Sequence, residues 1–116
     1  DFMAKLIDVW PDGFVQRLTD GMVRARFREG VDRPFLIEPA RVYAYDLDLW
    51  NTCQLYRRGH RVRLEIASSA FPKYDRNPNT GEALGQTTRM RKAEQKIYHD
   101  SEHPSYVILP VVPRRP

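Results

Sequence analysis

The sequence predicts an all-β protein, an antiparallel sandwich or barrel, and three observations lead to this fold class. First, nine prolines are spread over 116 residues, which leaves few windows long enough for an ordinary helix. Second, several short runs alternate apolar and polar residues with a period of two, the pattern of a half-buried strand. Third, turn signals separate these runs, which together predict about seven strands.

The first half of the chain contains four predicted strands, over residues 4–10, 14–18, 22–28 and 41–50. Pro11-Asp12-Gly13 follows the first as a turn, because proline presets φ and glycine tolerates a positive φ. Thr19-Asp20-Gly21 is predicted to close the second, and residues 29–39 form a long connection. The third strand carries a basic outer face: Arg24, Arg26 and Arg28, opposite Val23, Ala25 and Phe27. The fourth has a face that resembles core: Tyr43, Tyr45, Leu47 and Leu49.

The second half contributes three predicted strands, over residues 60–68, 95–99 and 106–112. A turn at Arg58-Gly59 leads into the first of them, and a polar loop, residues 69–85, follows it. Residues 89–94 favour a helix and stay open, and the tail, residues 113–116, is expected to fray. The strand at 60–68 has one apolar face, predicted as core, made of Val62, Leu64 and Ile66. Its other face is charged and carries Arg61, Arg63 and Glu65.

The net charge of +4 lies entirely in the second half of the chain. Residues 1–58 hold nine basic and nine acidic side chains, and residues 59–116 hold ten and six. Because acidic residues are interspersed with the basic ones, we interpret the excess as a mixed, solvated surface. The single cysteine, Cys53, excludes an internal disulfide, and no apolar run approaches the roughly 20 residues of a membrane span. With no leader visible, a cytoplasmic location and no membrane partner are expected.

A search for catalytic or metal-binding motifs finds none of the usual arrangements. No serine lies in a G-x-S-x-G elbow, and the adjacent pairs His99-Asp100 and Glu102-His103 would point to opposite faces of a strand. The spacing Asp75-x-Asn77-x-Asn79 resembles the start of a calcium loop, but its glycine falls one position late, so an Asx turn is favoured. His60, like the other histidines, is interpreted as a framework residue. We therefore predict no catalytic residue, no cofactor and no metal ligand in this chain.

Nucleic-acid binding is a weaker alternative. The basic strand face at residues 24–28 and several tyrosines supply the two ingredients of single-strand binding, cationic groups and stacking surfaces. However, the tyrosines of residues 41–50 share their face with leucines, which indicates core. We expect no nucleic-acid partner, since strand arginines also serve to discourage edge-to-edge aggregation.

Seven segments in this order resemble the C-terminal, non-catalytic domain of the X-prolyl dipeptidyl peptidase family, which includes cocaine-esterase-like acyl hydrolases and α-amino-acid ester hydrolases. They are DVWPDG (8–13), LTDGMVRARFREG (18–30), YDLDLWNT (45–52), YRRGHRVRLEIASSAFP (56–72), DRNPNTGE (75–82), IYHD (97–100) and HPSYVILPVVP (103–113). The pattern R-x-G-H-R-x-R-L-x-I-x-S-S-x-F-P is the most specific of them.

The resemblance implies a galactose-binding-like jelly roll attached to an α/β-hydrolase domain of the same polypeptide. In this family the catalytic serine, acid and histidine lie in that other domain, so the resemblance assigns no catalytic residue here. It implies that the domain packs on the catalytic domain and shapes the active-site rim or subunit contacts, with a homo-oligomer as one outcome. The chain begins at Asp1 without an initiator methionine, which agrees with part of a longer protein. First strands lying outside the chain would leave unpaired edges and an exposed apolar face.

Two features are candidates for contacts with the partner domain. The loop at residues 71–85 is long for a compact domain, and the strand arginines, including Arg61 and Arg63, could pair with carboxylates there. The alternative to an accessory domain is an independent carbohydrate-binding sandwich. It would use exposed aromatic rings, and Trp10 and Trp50 are the candidates because both lie at strand ends.

Overall fold

The computed structural model describes residues 1–113, in which three antiparallel strands form one sheet. β1 (Phe2–Val9) is central, with β2 (Val15–Val23) on one side and β3 (Arg61–Ala67) on the other. A 3-10 helix, Ala25–Phe27, is the one helical turn in this part of the chain, so the all-β class is confirmed. None of its helices could cross a membrane. The predicted fraying of the tail falls at 114–116, outside the described residues.

The hairpin between β1 and β2 forms at the predicted turn. Gly13 has a φ of 91°, a conformation that glycine adopts without steric cost. The Trp10 N–H donates to the Phe14 carbonyl at 2.9 Å, and the Asp12 carboxylate accepts from the Phe14 N–H at 3.0 Å. The Pro11-Asp12-Gly13 prediction is therefore confirmed, with the aspartate fixing the turn through its own side chain.

The second strand continues beyond the predicted end. Thr19-Asp20-Gly21 lies inside β2, and the register shifts by one residue between Leu6 and Ile7 of β1, which places a bulge in β2. Gly21 serves a close approach of two backbones here, because a Cβ at this position would lie 2.0 Å from the Asp48 carbonyl oxygen. The turn predicted at Thr19-Asp20-Gly21 is therefore wrong. A glycine is typical of a turn but also of a close approach between two backbones, and Gly21 serves the close approach.

The predicted strand over residues 22–28 is also wrong. β2 ends at Val23, and the 3-10 helix follows directly. The Arg24 side chain is buried, with its guanidinium against the carboxylates of Asp1 and Asp75. The buried Asp1 carboxylate pairs with this buried arginine, and the more exposed Asp75 adds a second contact, so tertiary ion pairing overrides the alternating pattern that predicted a strand.

β3 confirms the prediction at residues 60–68, including the Arg58-Gly59 turn, where Gly59 has a φ of 88°. Its predicted core face is wrong. Val62, Leu64 and Ile66 are 49%, 38% and 39% exposed. The rest of residues 1–113 does not cover this face, and β3 itself lies at the edge of the sheet, where it pairs with β1.

The three remaining predicted strands, residues 41–50, 95–99 and 106–112, join no ladder in the described chain. Residues 41–50 nevertheless keep the predicted alternation. The half-buried side chains are Tyr43, Tyr45, Leu47 and Leu49, and those between them are exposed. The sequence thus predicted the faces of this segment, while pairing requires a neighbour that these residues do not have.

The core is small and is centred on β1. Its buried apolar side chains are Met3, Ala4, Leu6, Ile7, Val9 and Ala25. The radius of gyration is 16.9 Å, whereas a compact domain of this length has about 13 Å. Much of the apolar surface therefore faces outward.

Candidate functional site

An aspartate–histidine pair lies in the sheet, at a place that the sequence analysis missed. Asp8 on β1 is fully buried, and its carboxylate accepts from His60 Nδ1 at 2.9 Å and from Gln54 Nε2 at 3.0 Å. The carboxylate thereby sets the tautomer and the orientation of the imidazole ring. The two residues are 52 positions apart, so only strand pairing brings them together. The available signal was an acidic residue within the apolar run LIDV of a central strand.

Tyr56 belongs to the same cluster. Its hydroxyl oxygen is buried without a hydrogen-bond partner among the described residues. Burial and the nearby Asp8 carboxylate raise the pKa of Tyr56, since both oppose the phenolate. Three polar side chains of residues 54–60 therefore surround the buried Asp8 carboxylate. Gln54 and His60 donate hydrogen bonds to it, and Tyr56 lies near enough for its charge to act on the phenol.

Among the described residues, the hydrogen bonds of the His60 ring go to Asp8, and none joins the ring to a serine hydroxyl. The Ser68 hydroxyl donates to Gln95 Oε1 at 2.9 Å, and the Ser105 hydroxyl donates to the Tyr98 carbonyl at 2.6 Å. The His60 ring lies beside Trp10, with 5.1 Å between the ring centroids. Acyl transfer needs a nucleophile within hydrogen-bond reach of the base. The contacts of this pair instead fasten residues 54–60 to β1, the framework role that we predicted for His60.

Arg24 is the centre of a second buried cluster, which attaches the long loop to the sheet. Its Nε and Nη2 donate to the Asp1 carboxylate at 3.0 Å each, and Nη1 donates to Asp75 at 3.2 Å. Asn77 Nδ2 donates to the same Asp1 carboxylate at 2.7 Å. Residues 75–77 are therefore held against the first residues of β1.

The other two arginines of this segment bind backbone carbonyls. Arg26 donates to the Glu82 carbonyl at 2.9 Å, and Arg28 donates to the Phe35 carbonyl at 2.8 Å. With Arg24 buried, the basic strand face that the nucleic-acid alternative requires does not form at residues 24–28.

A third cluster holds the start of the loop against β2. Lys73 donates to the buried carboxylate of Asp20, and Arg17 lies 3.5 Å from its other oxygen. The hydrogen bond from Lys73, together with the positive charges of Lys73 and Arg17, lowers the pKa of Asp20 although burial opposes this change. The loop at residues 71–85 is thus tied to the sheet at two points.

The predicted Asx turn is confirmed, because the Asn79 N–H donates to Asn77 Oδ1 at 3.0 Å. Asp75 and Asn77, two of the three calcium-loop positions, are bound to Arg24 and Asp1. Within residues 1–113, no three His, Cys, Asp or Glu side chains converge as a metal site would need.

His103, near the C-terminus, also has local framework contacts. Asp100 accepts from the backbone N–H groups of Glu102 and His103, at 3.0 and 2.7 Å. These bonds, the one from His103 above all, lower the pKa of Asp100. His103 Nδ1 lies 3.3 Å from Asp100, a pair at spacing three that replaces the adjacent pairs His99-Asp100 and Glu102-His103.

Exposed apolar side chains occur along much of the described chain, and two groups of them are the β3 face and residues 106–112. In the second region Tyr106 and Ile108 are 75% and 79% exposed, and Val111 and Val112 are 84% and 92% exposed. Val107 and Leu109, at 36% and 37%, are more covered. Apolar surface on this scale is unusual for a globular domain.

The described chain is a small β domain in which the buried carboxylates of Asp1, Asp8 and Asp20 are bound by other side chains, and much of its apolar surface is exposed. The comparisons with known proteins identify its family. The sequence profile of the X-Pro dipeptidyl-peptidase C-terminal non-catalytic domain matches residues 1–108, so the chain belongs to that family. It is 44% identical over 116 residues to cocaine esterase of Rhodococcus sp. (strain MB1 Bresler). The match covers 98% of this chain and 20% of that protein, so the chain spans about a fifth of its relative's length.

Proposed function

We propose that this chain is the accessory domain of a serine acyl hydrolase or peptidase and packs on an α/β-hydrolase catalytic domain of the same polypeptide. In this proposal the domain is a galactose-binding-like jelly roll and shapes the active-site rim or subunit contacts. Membership of a non-catalytic domain family supports the proposal. So does the identity with part of a protein named as an esterase, of which the match covers a fifth.

Residues 106–112 carry the proposal. A strand that reads as a continuous apolar run is usually buried on both faces. Every residue from 106 to 112 is exposed in the described chain, and Tyr106 and Ile108 are 75% and 79% exposed. A surface that buries these side chains would gain roughly 1.5–3 kcal/mol for each large apolar residue. The catalytic domain is the partner that family membership supports.

The loop at residues 71–85 is the second proposed contact. Phe71 is exposed, while Lys73 and Asp75 hold the surrounding backbone to the sheet. A loop that is already ordered loses less conformational entropy on binding than a mobile one. We therefore place Phe71 at the proposed rim of the active site.

The test uses the complete natural polypeptide with Ile108→Asp. After limited proteolysis between the two domains, we expect the domain that carries Ile108→Asp to be released from the catalytic domain. The unsubstituted domain is expected to stay bound to it. Val31→Asp is the matched control, because Val31 is equally exposed but lies in a connecting loop, and it is expected to change nothing. Equal behaviour of both variants would contradict packing through residues 106–112.

A serine-directed fluorophosphonate provides a second measurement on the complete polypeptide. The proposal expects the labelled serine to lie outside these 116 residues. Labelling of a serine within them, such as Ser68 or Ser105, would contradict the non-catalytic role of this chain.

The carbohydrate-binding alternative has support from Trp50, which is 73% exposed. Trp10 is less available, because it packs edge-on against Phe14 and beside His60. Binding to a glycan array that is lost with Trp50→Ala would favour this alternative. If the complete polypeptide binds no glycan, the carbohydrate-binding alternative is contradicted and the accessory role is the remaining proposal.

A further inference from the structure

A pocket lies between one face of the sheet and the start of the loop at residues 71–85. Its volume is about 510 Å³, and its lining residues come from three places in the chain: Lys5, Arg17, Ala70, Phe71, Pro72 and Lys73. Lys5 belongs to β1 and Arg17 to β2, while residues 70–73 follow β3. The volume lies in the range of small-molecule sites, about 300–1,000 Å³. The size of the pocket therefore suits a small ligand.

A row of alternating charge crosses the sheet beside this pocket. Lys5 is paired in register with Asp20 of β2 and with Glu65 of β3, so the three side chains share one face of the sheet. Lys5 donates to Glu65 at 2.6 Å, and Lys73 donates to Asp20 from the loop. Arg17 Nη1 lies 3.5 Å from the other carboxylate oxygen of Asp20. Both carboxylates are thus bound from within the chain, and the three cationic side chains line the pocket.

The three cationic groups keep unused hydrogen-bond donors, since an ammonium group has three and a guanidinium group has five. Among residues 1–113, Lys5 and Lys73 each donate to one carboxylate, and Arg17 makes only the longer contact with Asp20. The hydrogen bond to Asp20 raises the pKa of Lys73, and the hydrogen bond from Lys5 lowers the pKa of Glu65. These groups are therefore charged at neutral pH. Three positive charges face two negative ones, so the site carries a net charge of +1.

The other wall of the pocket is apolar. It consists of Ala70, Phe71 and Pro72, and Phe71 is 68% exposed. The hydrogen bonds of Lys73 and Asp75 with the sheet and Arg24 hold this wall in place opposite the charged row. A cavity with one cationic side and one apolar side is complementary to an anion that carries a hydrocarbon group. A singly charged anion matches the net charge of +1.

We propose that this pocket is a binding site for a small aromatic carboxylate. The carboxylate accepts hydrogen bonds from Lys5, Arg17 and Lys73, and the aromatic ring packs on Phe71 and Pro72. A phosphate dianion is a poorer occupant, because its charge exceeds that of the site. The pocket is built from this chain alone, so the proposal goes beyond the accessory role. The position proposed for Phe71 at the active-site rim is compatible with it, since a rim is open to small molecules.

Protection of lysine amines in the complete polypeptide tests the site. Reductive methylation of each amine is followed by peptide mass spectrometry, with phenylacetate as the probe and the ionic strength held constant. With half-maximal protection at about 1 mM, we expect a concentration of about 10 mM to slow the methylation of Lys5 and Lys73 about fivefold. Lys92, which is exposed away from the pocket lining, should react at an unchanged rate.

Two analogues of the probe test the two walls of the pocket. Phenylacetamide lacks the charge and acetate lacks the ring, so neither is expected to protect Lys5 or Lys73 at the same concentration. Phenyl phosphate carries a second charge and should protect less well than phenylacetate. An absence of protection by phenylacetate would overturn the proposal. Equal protection by acetate or phenyl phosphate, or equal protection of Lys92, would also overturn it.

Two substitutions test the same walls from the side of the protein. Arg17→Met removes one cation while Lys73 still binds Asp20, and it should raise the half-protective phenylacetate concentration for Lys73 about tenfold. Phe71→Ala removes the aromatic contact and should raise that concentration about fivefold. Arg33→Met, at an exposed loop position, is the matched control and should leave it unchanged. An unchanged concentration in either pocket variant would overturn the proposal.

The proposed function is judged by other measurements. The serine labelling and the release of the domain by Ile108→Asp do not involve the side chains of this pocket. Failure of phenylacetate binding would therefore leave the accessory role standing. Failure of the accessory role would in turn leave the lysine protection to be read as it is.

Discussion

The burial of β1 and of residues 106–112 does not follow from the polarity of the two segments. β1 contains Lys5 and Asp8, yet it forms the core, and Asp8 is fully buried. Residues 106–112 read YVILPVV, with no charged residue, yet Ile108 is 79% exposed. β1 lies between two strands, whereas residues 106–112 join no ladder in the described chain.

The comparison shows that a segment is buried only where other segments pack against it. Its composition sets how much free energy that burial would contribute. Asp8 tolerates the interior because His60 and Gln54 satisfy its carboxylate. The apolar run at residues 106–112 would gain free energy from burial, but residues 1–113 supply too little to cover it. The partner domain that we propose would supply the missing cover.

The largest expected effect comes from the buried ion pairs at the start of β1. Arg24→Met should lower the free energy of unfolding by about 3–5 kcal/mol, because it leaves a buried carboxylate without its partner. Denaturant unfolding of the complete polypeptide measures this change, with the exposed Arg33→Met as control. Equal stability of the two variants would show that the Asp1 carboxylate is not sequestered.

A matched pair of isoleucines tests the comparison itself. Ile7→Ala should cost about 2–5 kcal/mol, since Ile7 is buried in β1. Ile108→Ala in the complete polypeptide should cost a comparable amount if another domain covers it, as we propose. Unfolding measurements that place the Ile108→Ala cost near zero would mean that residues 106–112 remain on the surface.

Gly21→Ala tests the contact that brings residues 45–50 onto the sheet. The new Cβ would lie 2.0 Å from the Asp48 carbonyl oxygen, so one backbone must move. We expect a loss of about 1–3 kcal/mol, typical of overpacking. Gln16→Ala, on the same strand, should change stability much less, and thermal unfolding distinguishes the two.

The smallest effect concerns pH. The pKa of Asp20 is lower in the folded protein than in the unfolded chain, where an aspartate has a pKa of about 3.9. Its contribution to stability is therefore complete above about pH 4 and is lost as the pH falls through the folded-state value. Unfolding measured from pH 6 to pH 2 should show a weaker dependence for Asp20→Asn than for the natural protein. An unchanged profile would contradict the coupling to Lys73.

Local signals in the sequence predicted local structure well. Pro11 and Gly13 identified the hairpin turn, Gly59 the turn before β3, and the alternation at residues 41–50 its half-buried face. The strand at residues 22–28 was wrong because the contacts of Arg24 with Asp1 and Asp75 override the alternating pattern. The Asp8–His60 pair could not be found, since strand register alone unites residues 52 positions apart.

The sequence by itself determined the all-β class, the main turns, the family and the position of the charge excess. These depend on residue type, on spacing and on motifs that lie within a few positions of one another. The tertiary structure alone decided which apolar faces are covered, and it left the Val62, Leu64 and Ile66 face exposed. It also decided which polar side chains are buried, because burial depends on what another part of the chain places opposite each side chain.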